Sequence, residues 1–212
     1  MRAKLIACKT VNEGIRELIP ADMPCTLLEF GLHLHPDRLH AALQAAIDET
    51  TEDVDTILLG FGFCSRGAAG LEARRFRLVM PAADDCIALF LGSGSEYARQ
   101  CLATPGTFYL THGWIECGDD PYTDYQKMVA RYGAEKAYRL EKLVIKNYTR
   151  LALINTGGPR LAEHRAYANE VAQFFNLRFE EIPGSLDWLT KLIRGEWDEG
   201  FLVVEPGGRL VR

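Results

Sequence analysis

The sequence predicts an α/β domain: a mostly parallel sheet with helices on both faces, in a Rossmann-like arrangement. Three observations lead there. Strand-type and helix-type periodicities alternate along nearly the whole chain. The strand candidates are continuous apolar runs, such as Ile57-Leu58-Leu59 and Leu151-Ala152-Leu153-Ile154, as expected of strands covered on both faces. Apolar residues make up 48% of 212 positions, enough to fill a sizeable core.

The elements follow in order. Lys4 to Cys8 reads as a short apolar strand and Glu13 to Ile19 as a short helix stopped by Pro20. Thr26 to Phe30 is a strand candidate. Pro36 to Glu49 is a helix, with proline in its first turn and Leu39, Leu43 and Ile47 on one face. Asp55 to Gly60 is a buried-type strand that runs into the glycine-rich segment Gly60 to Gly67, and Phe76 to Met80 is a strand closed by Pro81. Helices are expected over Asp84 to Leu91 and, after Gly92, over Glu96 to Leu102; Thr107 to Leu110 is a strand. Tyr122 to Tyr148 reads as one long helical stretch with a break signal at Gly133. The remainder alternates: strand Leu151 to Ile154, helix Leu161 to Phe175, strand Arg178 to Ile182, helix Leu186 to Ile193 and strand Phe201 to Val204.

Residues 1–212 are expected to form a single α/β domain. A plan of two similar halves fits as well, with a break near 119–121 and the long helix bridging them. No sequence repeat and no low-complexity linker is seen.

The net charge is −5 and no Lys/Arg cluster is dense enough for a nucleic-acid surface; Arg74, Arg75 and Arg77 read as the solvated flank of a strand. No apolar run reaches the roughly 18 residues of a membrane span. The start of the chain carries Arg2 and Lys4 within a short apolar run, unlike a secretory leader. A cytoplasmic location is therefore expected, with the six cysteines reduced and available as core residues, ligands or nucleophiles. The oligomeric state is left open.

Open α/β sheets bind ligands outside the carboxyl ends of their strands. Cys8, Cys64 and Cys86 all fall at such ends. Thiolates are soft donors that suit zinc and iron–sulfur clusters, and three protein ligands would leave one position open. No CxxC spacing supports the set; its weight comes from placement, set against the tendency of free cysteine simply to fill core space. Asp84 or Asp85 can cap the helix that opens at Cys86. Four nearby glycines (Gly60, Gly62, Gly67, Gly70) permit close backbone approach at Cys64, with Gly62 the nearest candidate to line a bound group. The Gly-Lys-Ser/Thr ending of a phosphate loop is missing.

His112 follows a strand end and is the candidate ligand or general acid–base, with Trp114 walling the pocket. Asn155 and Thr156 open a glycine turn that can offer backbone donors to an anionic group, or merely connect a strand to a helix. His33 and His35, two apart on an expected extended segment, could face one metal together, with His40 a turn further on. Cys25, Cys101 and Cys117 have no comparable placement and read as structural.

Cys8, the segment Leu59 to Cys64, the run Pro81-Ala82-Ala83-Asp84-Asp85-Cys86 with Leu91-Gly92, and Thr107 to Trp114 together resemble the bacterial and archaeal family of domain of unknown function 1638. The resemblance covers most of the chain. The family brings no settled activity. Its frequent genetic neighbourhood with corrinoid-dependent methyltransferase systems implies a link to methyl or one-carbon transfer.

The leading expectation is thus a metal-dependent enzyme or accessory factor, with Cys8, Cys64 and Cys86 holding zinc (or an iron–sulfur cluster), His112 as fourth ligand or proton carrier, and a corrinoid or corrinoid protein as substrate or partner. One alternative is a non-catalytic carrier of metal, cluster or corrinoid, although the Asp-x-His-x-x-Gly pattern of histidine-bound corrinoid is absent. Another is a thiol enzyme that uses Cys86 without metal.

Overall fold

The computed structural model of the chain describes residues 2–64 and 66–211. In chain order the elements are β1 (Ala3–Cys8), α1 (Lys9–Gly14), a 3-10 turn at Arg16–Leu18, β2 (Cys25–Leu28), a second 3-10 turn at Phe30–Leu34, α2 (Pro36–Asp48), β3 (Thr56–Gly60), β4 (Arg77–Pro81), α3 (Cys86–Leu91) and α4 (Gly94–Ala103). There follow β5 (Thr107–Leu110), α5 (His112–Cys117), α6 (Pro121–Tyr132), α7 (Ala134–Val144), β6 (Arg150–Asn155), α8 (Leu161–Phe175), β7 (Arg178–Pro183), α9 (Asp187–Arg194) and β8 (Phe201–Val204). This is an α/β protein with mostly parallel sheets flanked by helices.

Two compact units emerge. The first is discontinuous in sequence, residues 1–94 with 185–212; the second is the contiguous stretch 95–184. Residues 119–121, the break considered from sequence, lie within the second unit at the start of α6.

The first unit holds a five-stranded sheet in the order β2-β1-β3-β4-β8. Strands β1 to β4 pair in parallel, with Leu5 opposite both Cys25 and Leu58. β1 and β3 are buried along their whole length, as largely apolar strands covered on both faces are. β8 pairs antiparallel with β4 and alternates in exposure, as an edge strand does. Leu39, Leu43 and Ile47 of α2 are fully buried, confirming that helix's apolar face. From β1 the chain steps outward to β2, then crosses back to β3 and continues outward to β4 on the other side. The carboxyl ends of β1 and β3 therefore flank a topological switch point, where parallel connections leave a crevice.

The second unit holds a three-stranded parallel sheet, β5-β6-β7, with Leu151 of the central strand opposite both Phe108 and Phe179. Its buried strand β6 carries Arg150 at only 3% exposure. That guanidinium is satisfied by Thr107 Oγ1 at 2.8 Å, Gln100 Oε1 at 2.9 Å and Glu180 Oε2 at 3.1 Å.

Several expectations need adjustment. The first helix begins at Lys9, directly after β1, and the chain at Arg16–Leu18 makes only a 3-10 turn. The long stretch from Tyr122 is two helices, because Gly133 adopts φ 77° and ψ 157°, outside the helical range. His33 lies in a 3-10 turn rather than on an extended segment, and its Nδ1 is hydrogen-bonded to the Phe30 carbonyl. The two-residue periodicity invoked for His33 and His35 therefore does not apply. Among the described residues, no helix is long and apolar enough to cross a membrane.

Candidate functional site

All six cysteines are free thiols. Three of them meet at the carboxyl edge of the first unit's sheet, one after each of β1, β3 and β4. Cys8 ends β1 and is 6% exposed; Cys64 lies four residues past β3 and is also 6% exposed; Cys86 opens α3 and is half-buried.

The loops that carry Cys64 and Cys86 run side by side beyond the end of the sheet. Phe63 N donates to Ala83 O and Cys64 N to Asp84 O, each at 2.9 Å, prolonging the β3–β4 pairing into the loops. Gly62 makes this approach possible: a Cβ there would sit 2.7 Å from Asp85 Cα and 2.8 Å from Asp85 N and C. The closeness that a glycine-rich segment permits is thus used between two protein backbones. Asp85 caps α3, accepting from Ile87 N at 2.9 Å and Ala88 N at 3.1 Å, and so fixes Cys86 at the helix start.

Cys64 has φ 43° and Arg66 φ 75°, left-handed conformations that non-glycine residues rarely adopt. Such strain costs of order 1–3 kcal/mol per residue and gathers at binding and catalytic positions.

Cys64 and Cys86 act on each other's acidity, and this sets the two thiols apart. Cys64 falls below the ordinary cysteine range, first through the neighbouring Cys86 thiol, with the backbone N–H groups of Gly62 and Cys86 assisting. Burial and the charge of Asp85 oppose the effect without cancelling it. Cys86 is pushed well above its ordinary range first by the neighbouring Cys64 thiol, then by burial and by the charges of Cys64, Cys8 and Asp85. Within the pair, Cys64 is thus the more acidic thiol and Cys86 the one that holds its proton longer. Cys8 is raised by burial despite its contact with Thr10 Oγ1 at 3.2 Å, and the charge of Cys64 raises it further. All three sulfurs thus share one electrostatic neighbourhood. Among the described residues, however, no group of three or more His, Cys, Asp or Glu side chains is arranged to hold a metal ion.

The remaining candidates belong to the second unit. Thr111, fully buried, precedes α5, and its Oγ1 has no hydrogen-bond partner among the described residues. His112 opens α5, and its ring stacks on that of His164 with centroids 5.8 Å apart. Trp114 is 3% exposed. Sequence reasoning missed His164 and Glu116. The His164 ring is buried and its Nε2 lies 2.7 Å from Glu116 Oε1, which also meets Arg160 Nη1 at 2.7 Å. The hydrogen bond from His164, followed by the charge of Arg160, holds the Glu116 carboxyl below its usual range. No local pattern announces this pairing across 48 positions; only the packing of α5 on α8 brings it about.

Asn155 ends β6. Its Oδ1 accepts from Gly157 N at 2.8 Å and its Nδ2 donates to Glu181 Oε1 at 2.7 Å, so its side chain is spent on shaping the turn. Thr156 Oγ1 is buried and has no hydrogen-bond partner among the described residues.

No curated protein and no solved structure matches the chain. One family model does match, over residues 27–193, a span that includes Cys64, Cys86, His112, Trp114, Asn155 and Thr156 and leaves Cys8 outside. With that span covering well over half of its length, the chain belongs to the family described as "Protein of unknown function (DUF1638)".

Proposed function

We propose that the protein is a thiol-dependent enzyme or accessory factor in which Cys64 is the reactive thiolate and Cys86 its proton-holding partner. The observation that carries this reading is the side-by-side run of the Cys64 and Cys86 loops, joined by Phe63 N to Ala83 O and Cys64 N to Asp84 O, which brings the two thiols under each other's influence and lowers the one while raising the other. The thiolate is the nucleophilic form of cysteine, and its supply near neutral pH controls reactivity. Cys64 would attack a soft electrophilic carbon: a C–S bond forms as the bond to the leaving group breaks, and the leaving group departs with the electron pair, taking a proton from Cys86 only where it is a basic heteroatom. A methyl or other one-carbon group as the electrophile follows the resemblance noted above, and a corrinoid methyl donor is one such source.

A second reading is favoured by the third thiol. Cys8 acts electrostatically on Cys86, and Cys64 on Cys8. A soft cation such as zinc, or an iron–sulfur cluster, would relieve that repulsion by replacing protons on the sulfurs. Cys8 would first have to leave Thr10.

Alkylation with iodoacetamide across pH, read by mass spectrometry, tests the first reading. Cys64 should react fastest, with a midpoint below that of an ordinary thiol, and Cys86→Ala should move the midpoint up. Equal, slow reaction of Cys64 and Cys86 would overturn it. Elemental analysis and a visible spectrum of protein purified without air test the second. Near-stoichiometric zinc, or a broad visible band, that disappears in Cys86→Ser supports it; full metal retention in that variant, or no metal at all, removes it.

A further inference from the structure

We propose that the first unit binds a phosphate ester carrying a planar ring, of the nucleotide type, in a cleft at the amino end of its sheet, gripped by Arg75, Arg77 and Arg194 beside the indole of Trp197. The cleft has a volume of about 600 Å³ and opens where β3 and β4 begin, at the opposite end of these strands from the cysteines. In a chain of net charge −5, three guanidinium groups line it against two carboxylates, Asp55 and Glu205.

The three arginines stand in different states of readiness. Arg194, at the end of α9, is exposed and makes no hydrogen bond or ion pair among the described residues. Arg75 has no carboxylate partner among the described residues. Its Nη2 donates to the carbonyls of Thr50 at 3.2 Å and Glu52 at 3.5 Å, and its guanidinium lies 4.3 Å from the Phe76 ring centroid, so it is held in place with its charge uncompensated. Arg77 forms a two-pronged pair with Glu205, at 3.0 and 3.2 Å. Glu205 is 64% exposed, so an incoming dianion can displace it at little cost. The Asp55 charge is itself offset by Arg2 at 3.8 Å.

Arginine forks match the oxygen geometry of phosphate, which favours this anion over chloride or a lone carboxylate. The ring follows from Trp197. Its Nε1 donates to Leu192 O at 3.1 Å, which anchors the indole and leaves it as a wall of the cleft against which a planar group can stack. The site is independent of the thiol reading, and the Cys64→Ser variant should bind the same ligands unchanged.

The probes are ADP and inorganic pyrophosphate, titrated into the full-length protein by calorimetry and tryptophan fluorescence at low and moderate salt. Both should bind, more weakly as salt rises. Arg194→Ala removes charged hydrogen bonds from an exposed position and should weaken both by about 10–100-fold while leaving the melting temperature unchanged. Trp197→Phe should weaken ADP more than pyrophosphate. Absence of binding of either probe, or equal affinity in wild type and Arg194→Ala, overturns the site. Equal loss of both probes in Trp197→Phe overturns the stacked ring.

Discussion

Glu141 should make the second unit less stable as pH rises from about 5 to 8, and Glu141→Gln should remove that dependence. The carboxylate lies on α7 at 4% exposure and forms no hydrogen bond or ion pair among the described residues. Burial comes first, and the negative charges of Asp124 and Asp120 second, in pushing it up to about 7. In the unfolded chain it returns to the ordinary glutamate value near 4.3. Between those two values the folded state binds more protons than the unfolded state, so stability falls as pH rises. Below about pH 4.3 the carboxyl is neutral in both states and carries no penalty; above about 7 the penalty is complete. At about 1.4 kcal/mol per pH unit the gap sets a ceiling of about 4 kcal/mol, and residual hydration of the oxygens lowers this to about 1–2 kcal/mol. Glutamine keeps the shape without the charge, so the variant should gain that amount at pH 8 and almost nothing at pH 4.5. Urea unfolding at the two pH values measures the difference, and hydrogen exchange of the α6 and α7 amides localises it. A variant no more stable than wild type at pH 8 would refute the reasoning.

Two further substitutions test the packing behind the site and the second sheet. Gly62→Ala places a methyl group 2.7 Å from the Asp85 backbone. It should cost about 1–3 kcal/mol and, by parting the two loops, slow alkylation of Cys64; unchanged reactivity would show that Cys64 does not depend on Cys86. Arg150→Met leaves the buried Gln100 and the Glu180 carboxylate short of a donor and should cost about 3 kcal/mol, read from denaturant midpoints; a loss below about 1 kcal/mol would mean that water replaces the guanidinium.

Most strands were legible because their burial is uniform. β1, β3, β4 and β6 are largely apolar runs buried over nearly their whole length. The carboxyl-edge placement of Cys8, Cys64 and Cys86 followed from those strands, since each cysteine lies within a few residues of a strand end. The close approach of the Cys64 and Cys86 loops did not follow, because it depends on Gly62 admitting the Asp85 backbone, a relation between two loops with no sequence period. The α6–α7 break was hinted at by Gly133, but residues on both sides keep helical composition, and only the backbone angles decide. The Glu116–His164 pair was invisible for the same reason: each residue is unremarkable on its own helix. The antiparallel pairing of β8 was hidden because four apolar residues do not encode a direction.

The order of synthesis gives the division of the chain a kinetic consequence. Strand β8, which completes the five-stranded sheet beside β4, emerges from the ribosome only after residues 95–184 have been made. Until then β4, a strand buried at four of its five positions, has a bare edge and an unshielded apolar surface. The intervening stretch is contiguous and can collapse by itself during that interval. A nascent chain released before about residue 205 would thus hold a formed second unit and a first unit with an open, adhesive edge, and chaperones that recognise exposed strand edges would engage it there rather than at the cysteines.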